Sequence, residues 1–200
     1  MLTSYPVTFE MDFVERRSRL TTFLRLFLVL PHLLFAFAYV VAFYVVYIIS
    51  WFALMFTARW PVGLYEFASG FLRYITRLSA YLYLGVDTYP PFSGAEDDSY
   101  PVRVHIAPPL DHYSRLKVLF RSIYAIVAIV IRYAMGIVIS CASFVSWFVI
   151  VATGRQPASL QSALKFALSY TTQADALIFL ITETYPPFGE GEQPAAQPAV

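Results

Sequence analysis

Three kinds of hydrophobic pattern follow one another along the chain, and the series occurs twice. The first is alternation. Tyr5-Pro6-Val7-Thr8-Phe9-Glu10-Met11-Asp12 places Val7, Phe9 and Met11 on one side, and Tyr100-Pro101-Val102-Arg103-Val104-His105-Ile106 does the same with Val102, Val104 and Ile106. Period two with β-branched and aromatic residues predicts a half-buried strand, and proline suits its first position. The second pattern is an unbroken apolar run. From Leu20 to Thr57 the run has no formal charge after Arg25, and the next is Arg59. A helix apolar on every face belongs in a bilayer rather than a soluble core of this size. At about 1.5 Å per residue the whole run is nearly twice the usual hydrocarbon thickness, so it must bend, tilt or split. Pro31 is the natural break, because it removes a helical hydrogen bond. In the second run Arg132 interrupts, and Tyr133 to Thr153 is free of charge. Spanning cores are predicted at about 37–57 and 133–153. The segments before them, 18–35 and 114–131, either continue the helix at the interface or enter the membrane separately.

The third pattern is a polar stripe. Glu66, Ser69, Gly70, Arg73, Thr76 and Arg77 recur at three- and four-residue spacing, as do Ser162, Lys165, Ser169, Thr172 and Gln173. The other faces are Leu, Phe, Tyr and Ala, so amphipathic helices are predicted at about 62–86 and 158–182. Such a helix either spans with its stripe inward or lies along the surface. Pro61 and Pro157 suit a helix start, and Gly154 suits the end of the preceding one.

Placing residue 20 on residue 116 keeps one register through both halves. Trp51 then falls on Trp147, Thr57, Arg59 and Pro61 on Thr153, Arg155 and Pro157, and Thr88-Tyr89-Pro90-Pro91-Phe92 on Thr184-Tyr185-Pro186-Pro187-Phe188. With one residue inserted, Tyr5-Pro6-Val7 matches Tyr100-Pro101-Val102. The chain is therefore a tandem duplication, 1–95 and 96–190, followed by a tail at 191–200 expected to be disordered. Each repeat reads as strand, long apolar helix, amphipathic helix and Tyr-Pro-Pro-Phe strand. The fold class is mainly α and integral to a membrane: helical hairpins, about four membrane helices in all, with a small extramembrane sheet drawn from both repeats.

Composition sharpens this picture. The chain is 58% hydrophobic and 14% charged, against about 25% charged in ordinary soluble domains. A net charge of +1 with scattered arginines gives no basic face for nucleic acid. One cysteine, Cys141, excludes an internal disulfide and a cysteine-based zinc site. The leader before residue 20 contains acids that a signal peptide's first region normally lacks, so the first apolar run is expected to be retained.

The order of Tyr-Pro-Val strand, Ser-Arg-Leu, apolar helix with Trp-Phe, Thr57-Ala58-Arg59-Trp60-Pro61, amphipathic helix and Asp87-Thr88-Tyr89-Pro90-Pro91-Phe92 resembles the bacterial membrane proteins grouped as domain of unknown function 4389, here in two copies. The second copy departs, with Glu183 for the aspartate and Gln156 for an aromatic residue. The resemblance implies a bacterial membrane protein and supplies no activity.

Arg16, Arg17, Arg19, Arg25, Arg103, Arg115, Lys117 and Arg121 lie around the predicted strands, while the opposite ends of the spanning cores offer Arg59 and Arg155. Positive charge marks the cytoplasmic side. A multi-pass protein of the cell membrane is expected, with both termini and the sheet cytoplasmic and two crossings per repeat. Three crossings per repeat would give inverted repeats and would separate the two strands.

Candidate chemistry is sparse. Glu66, Arg73, Arg77 and Lys165 on the stripes form a possible anion or lipid head-group site; otherwise Arg73 and Arg77 pair with Glu66 or extend to the interface. Arg59 and Arg155 are expected to cap helix carbonyls. Trp51 and Trp147 read as packing residues or interfacial anchors. Arg132 inside an apolar run and the lone His32 are noted, the latter as a core residue. No nucleotide loop, nucleophile elbow or paired metal-binding histidine motif is present. The expectation is a small non-enzymatic accessory or scaffolding subunit without cofactor or metal. Its partners would be the lipid bilayer and a membrane protein or a second copy. The alternative is a carrier of a lipid or another amphipathic ligand.

Overall fold

A computed structural model describes residues 5–187. In chain order the elements are β1 (Val7–Met11), α1 (Arg19–Leu28), α2 (Leu30–Thr57), α3 (Val62–Leu82), β2 (Val102–Ile106), α4 (Arg115–Leu119), α5 (Arg121–Tyr124), α6 (Ile126–Thr153) and α7 (Ala158–Ile178). The two strands form one antiparallel ribbon with Val7 opposite Ile106, Phe9 opposite Val104 and Met11 opposite Val102. The predicted inward faces are the buried ones, and Glu10 and Arg103 meet on the outer face.

The ribbon, the paired helices α3 and α7, and the long helices α2 and α6 form successive layers. β1 packs on α7 and β2 on α3; α3 packs on α2 and α7 on α6. The short helices α1 and α4 cross to the other repeat, α1 against α6 and α4 against α2. The two repeats are thereby interleaved around a pseudo-twofold axis. Repeat register maps Phe9 onto Val104, and these two face each other in the ribbon. It maps Thr76 onto Thr172, whose hydroxyls share a hydrogen bond at 3.3 Å.

The amphipathic helices are the centre of the protein. Ala68, Leu72, Tyr74, Leu78 and Ala80 of α3, and Leu164, Ala167, Leu168, Ala174 and Leu177 of α7, are buried. Both helices stop earlier than the sequence pattern suggests, at Leu82 and Ile178, because Leu84 and Leu180 take left-handed backbone conformations (φ 64° and 67°). The amides just beyond turn back to Ala80 O and Ala176 O, which ends each helix with its carbonyls satisfied.

Among the described residues, two helices are long and apolar enough to cross a membrane, Leu30–Thr57 and Ile126–Thr153. The first apolar run splits next to Pro31: α1 ends at Leu28, α2 begins at Leu30, and the proline sits in the first turn of α2, where its missing N–H costs nothing. Two expectations are corrected. Arg132 does not interrupt α6, which runs through it to an ion pair with Asp175 at 2.5 Å. The Tyr89-Pro90-Pro91-Phe92 segment joins no ladder and is an ordered loop, since proline withholds the donors a strand needs. Its counterpart Tyr185-Pro186-Pro187 is also loop, while Phe188 and the tail lie outside the described residues.

Candidate functional site

Polar side chains tie the layers together, and most of these ties occur twice. Ser18 N donates to Asp87 Oδ2 at 2.9 Å, and Ser114 N donates to Glu183 Oε1 at 2.8 Å. Each carboxylate thus receives the free amide at a helix start. Arg25 reaches Asp87 Oδ1 at 2.5 Å and donates to Val86 O, while Arg121 donates to Thr182 O. Arg17 donates to Gly85 O at 2.7 Å, and at the matching place Tyr113 donates to Ile181 O at 3.0 Å. Burial lowers the pKa of Arg17 and Arg25, and Asp87 acts against that shift. The Asp/Glu of the closing motif is therefore the counterion that lets arginine be buried beside it.

The stripe on α3 is turned inward. Arg73 donates from Nε to Val104 O at 3.2 Å and pairs with Glu96 at 2.5 Å. Arg77, fully buried, donates to Ala95 O at 2.8 Å and Val102 O at 3.4 Å, and its guanidinium lies over the Tyr100 ring. Burial lowers its pKa, and Asp97 opposes that. Both arginines hold the strand and the inter-repeat linker, and neither pairs with Glu66. The linker lies directly on α3: a Cβ on Gly94 would stand 2.2 Å from Gly70 O. In repeat two Gln173 donates to Val7 O at 3.3 Å, the same task as Arg77 with a neutral group. Glu66 is exposed and Lys165 half-buried, and neither forms an ion pair or hydrogen bond among the described residues. The structure therefore does not bring the four stripe residues together. A shallow surface dip with no enclosed volume lies beside Arg77, Glu96, Asp97, Asp98 and Arg103. Among the described residues no group of three His, Cys, Asp or Glu is placed to hold a metal ion.

The repeat motifs have structural places. Thr57 and Thr153 donate back to Ala53 O and Val149 O at 2.7 Å and accept from the amides of Arg59 and Arg155. The hydroxyls, rather than the expected guanidinium groups, close these helix ends. The Arg59 side chain is exposed, and that of Arg155 meets Glu15 at 3.6 Å. Pro61 and Pro157 precede α3 and α7 as extended caps. Trp51 Nε1 donates to Val118 O, and Trp147 packs near Phe23. Tyr89 and Phe92 pack on the buried His32, with Phe92 stacked at 3.9 Å. His32 shares a hydrogen bond with Tyr74 at 3.0 Å. At the matching place in repeat two, Ala128 N donates to Tyr185 Oη at 3.2 Å. Pro90 and Pro186 are buried and Pro91 and Pro187 half-buried.

Asp87, Asp175, Gly70 and Gly94 were missed as fold determinants. The recurrence of an acid at 87 and 183 was the available signal for the first. Nothing local marks the others, because their partners lie on different elements.

The family model for a domain of unknown function, DUF4389, matches residues 19–94 and again 115–189. No curated protein and no solved structure matches the chain. Each match begins at Arg19 or Arg115, so the strands lie outside both. The chain belongs to the DUF4389 family and contains two tandem copies of its domain.

Proposed function

We propose that this DUF4389 protein is a small, non-enzymatic integral membrane protein serving as an accessory or scaffolding subunit of a membrane assembly. One observation carries the reading. The most apolar stretches of α2 and α6 are only 17% and 22% buried. Phe37, Tyr44, Phe56, Tyr133, Ile137 and Phe144 are each more than 60% exposed. A core helix of a soluble protein is mostly buried, and apolar patches above a few hundred Å² mark a membrane or partner surface. Lipid and a partner chain, or a second copy, would cover these faces. The charge asymmetry read from the sequence supports a cytoplasmic placement of the ribbon and termini.

A carrier of an amphipathic ligand has less behind it. That reading needs free polar stripes around an inner cavity, and Arg73 and Arg77 are occupied by backbone carbonyls and Glu96. Native mass spectrometry after gentle extraction tests the choice. A retained protein of defined mass is expected. A chain carrying one tightly held amphiphile, released by Lys165→Ala or Glu66→Ala with the fold intact, would overturn the reading.

A further inference from the structure

We infer that the protein lies flat in one leaflet, with the helices α1, α2, α4, α5 and α6 in the lipid and the ribbon in water, in place of the two crossings per repeat that hydropathy suggests. The inference rests on the membrane reading above and adds its geometry.

Symmetry fixes the directions. Trp60, just before α3, donates to Leu180 O just after α7 at 3.0 Å. Gln161, at the start of α7, reaches Gly85 O beyond the end of α3 at 3.5 Å. α3 and α7 are thus antiparallel, as are β1 and β2. Two antiparallel elements exchanged by a twofold axis lie perpendicular to it. The axis through the Phe9–Val104 and Thr76–Thr172 pairs is therefore normal to the ribbon and to the helix pair below it.

The long helices share that plane. α2 turns into α3 through four residues, Ala58 to Pro61, and lies beside it, with Phe43 stacked on Phe71 at 4.2 Å and Phe35 against Tyr74 at 5.2 Å. Near its start His32 touches Phe92, and at its end Ala58 O accepts from Tyr113 N at 2.8 Å. α6 runs beside α7 in the same way, from Arg132 against Asp175 to Ser146 against Gln156. An upright α2 would carry α3, α7 and the ribbon upright with it, at bilayer depth.

The ribbon cannot occupy that position. Its outer face carries the half-buried Arg103 in ion pairs with the half-buried Glu10 at 3.1 Å and the exposed Asp12 at 2.7 Å, and the linker beside it carries Asp97 and the exposed Glu96 and Asp98. Open charged groups at mid-bilayer are costly. Length agrees: 28 residues make about 42 Å of helix, beyond the ~30 Å hydrocarbon core.

Charge names the occupant of the apolar face as lipid. Most acids lie on the ribbon side or in inner ion pairs, whereas exposed arginines stand at the two ends of the helix layer, at one of which Glu15 meets Arg155 at 3.6 Å. Arg19 lies against Gly154, next to Arg155, and Arg115 donates to Phe56 O close to Arg59. A repeated pair of arginines at each end of an apolar face suits anionic head groups around a leaflet-embedded slab.

Nitroxide depth measurement in mixed phosphatidylethanolamine and phosphatidylglycerol vesicles tests the geometry. Cys141 is exposed on α6 and takes a label without substitution. In a Cys141→Ser background, single cysteines replace the exposed Phe37, Val41, Tyr44, Ile48 and Phe52 along one face of α2. A common depth within a few ångströms is expected, about 5–10 Å below the head groups. Depths spread over most of the ~22 Å that this stretch of helix would span upright overturn the inference. Absence of lipid contact at every label, Cys141 included, overturns the membrane reading itself, and is a different result.

Discussion

The two repeats share a framework and differ in the charge that fastens it. Val102 O and Val7 O each accept from a stripe residue, but the donor is Arg77 in one case and Gln173 in the other. Ala107 O accepts from Tyr65, and Asp12 O from Gln161. Gly85 O accepts from Arg17, and Ile181 O from Tyr113. In every pair the acceptor is a backbone carbonyl at a fixed place and the donor is any side chain that reaches it. A buried carbonyl must be paired, and its geometry does not specify by what. The duplicated sequence has therefore drifted freely in donor chemistry while its backbone stayed symmetric. Repeat one uses more buried cations, and this makes it the more fragile half.

The largest test of that asymmetry is Asp87→Ala against Glu183→Ala. Removing Asp87 strands Arg25, only 3% exposed, and Arg17 without a counterion. A loss of about 3–5 kcal/mol is expected for breaking such a pair. Glu183 faces the exposed Lys117 at 3.6 Å and supports the buried Arg121 only from beyond ion-pair distance, so its removal should cost less, about 1–3 kcal/mol, from the lost bond to Ser114 N and the weaker support of Arg121. Denaturant unfolding in detergent reads both, and equal losses would remove the distinction between the halves.

Arg77→Met against Gln173→Met comes next. The first leaves two carbonyls unpaired and the second leaves one. Costs of about 2–4 and 1–2 kcal/mol follow at about 1–2 kcal/mol per orphaned group. Hydrogen exchange should locate the first loss in β2 and the linker, and the second in β1.

Alkaline titration separates the halves without a charge change at neutral pH. Burial pushes the Tyr65 hydroxyl up to about 12, and its counterpart Gln161 does not titrate. The unfolded tyrosine loses its proton near pH 10, before the folded one. Its contribution is complete below about pH 10 and is lost as pH rises towards 12. Tyr65→Phe should flatten the stability profile in that window, and an unchanged slope would refute the assignment. Tyr5, Tyr74, Tyr81, Tyr100, Tyr113 and Tyr170 are shifted upward for the same reason, and they contribute to the slope that remains.

The smallest effect lies at the helix ends. Ala58 and Gly154 occupy matching left-handed positions, φ 57° and 71°. Ala58→Gly should stabilise by about 1 kcal/mol, and Gly154→Ala should destabilise by at least as much, since its Cβ would also press on Arg19 Nε at 3.1 Å. Thermal midpoints moving in opposite directions would confirm that the two ends have one geometry and different strain.

Much of this protein was determined by sequence alone. The duplication, the two strands and their joint sheet, and the two long apolar helices all follow from periodicity and self-similarity, which are local or need only the chain compared with itself. The inward placement of Thr76 and Arg77 was one of two options that the stripe allowed. Other features depended on pairing between distant segments. Tyr-Pro-Pro-Phe looks extended, and only the packing of Tyr89 and Phe92 on His32 makes it a loop cover rather than a strand. The stripe looks like a binding surface, and only the ribbon laid across it occupies Arg73 and Arg77 with carbonyls. Above all, hydropathy counts apolar residues without direction. The plane in which α2 and α6 lie is set by the twofold axis through Thr76 and Thr172, a contact between residues 96 positions apart. That direction is a property of how the two copies fold together, and neither copy's sequence contains it.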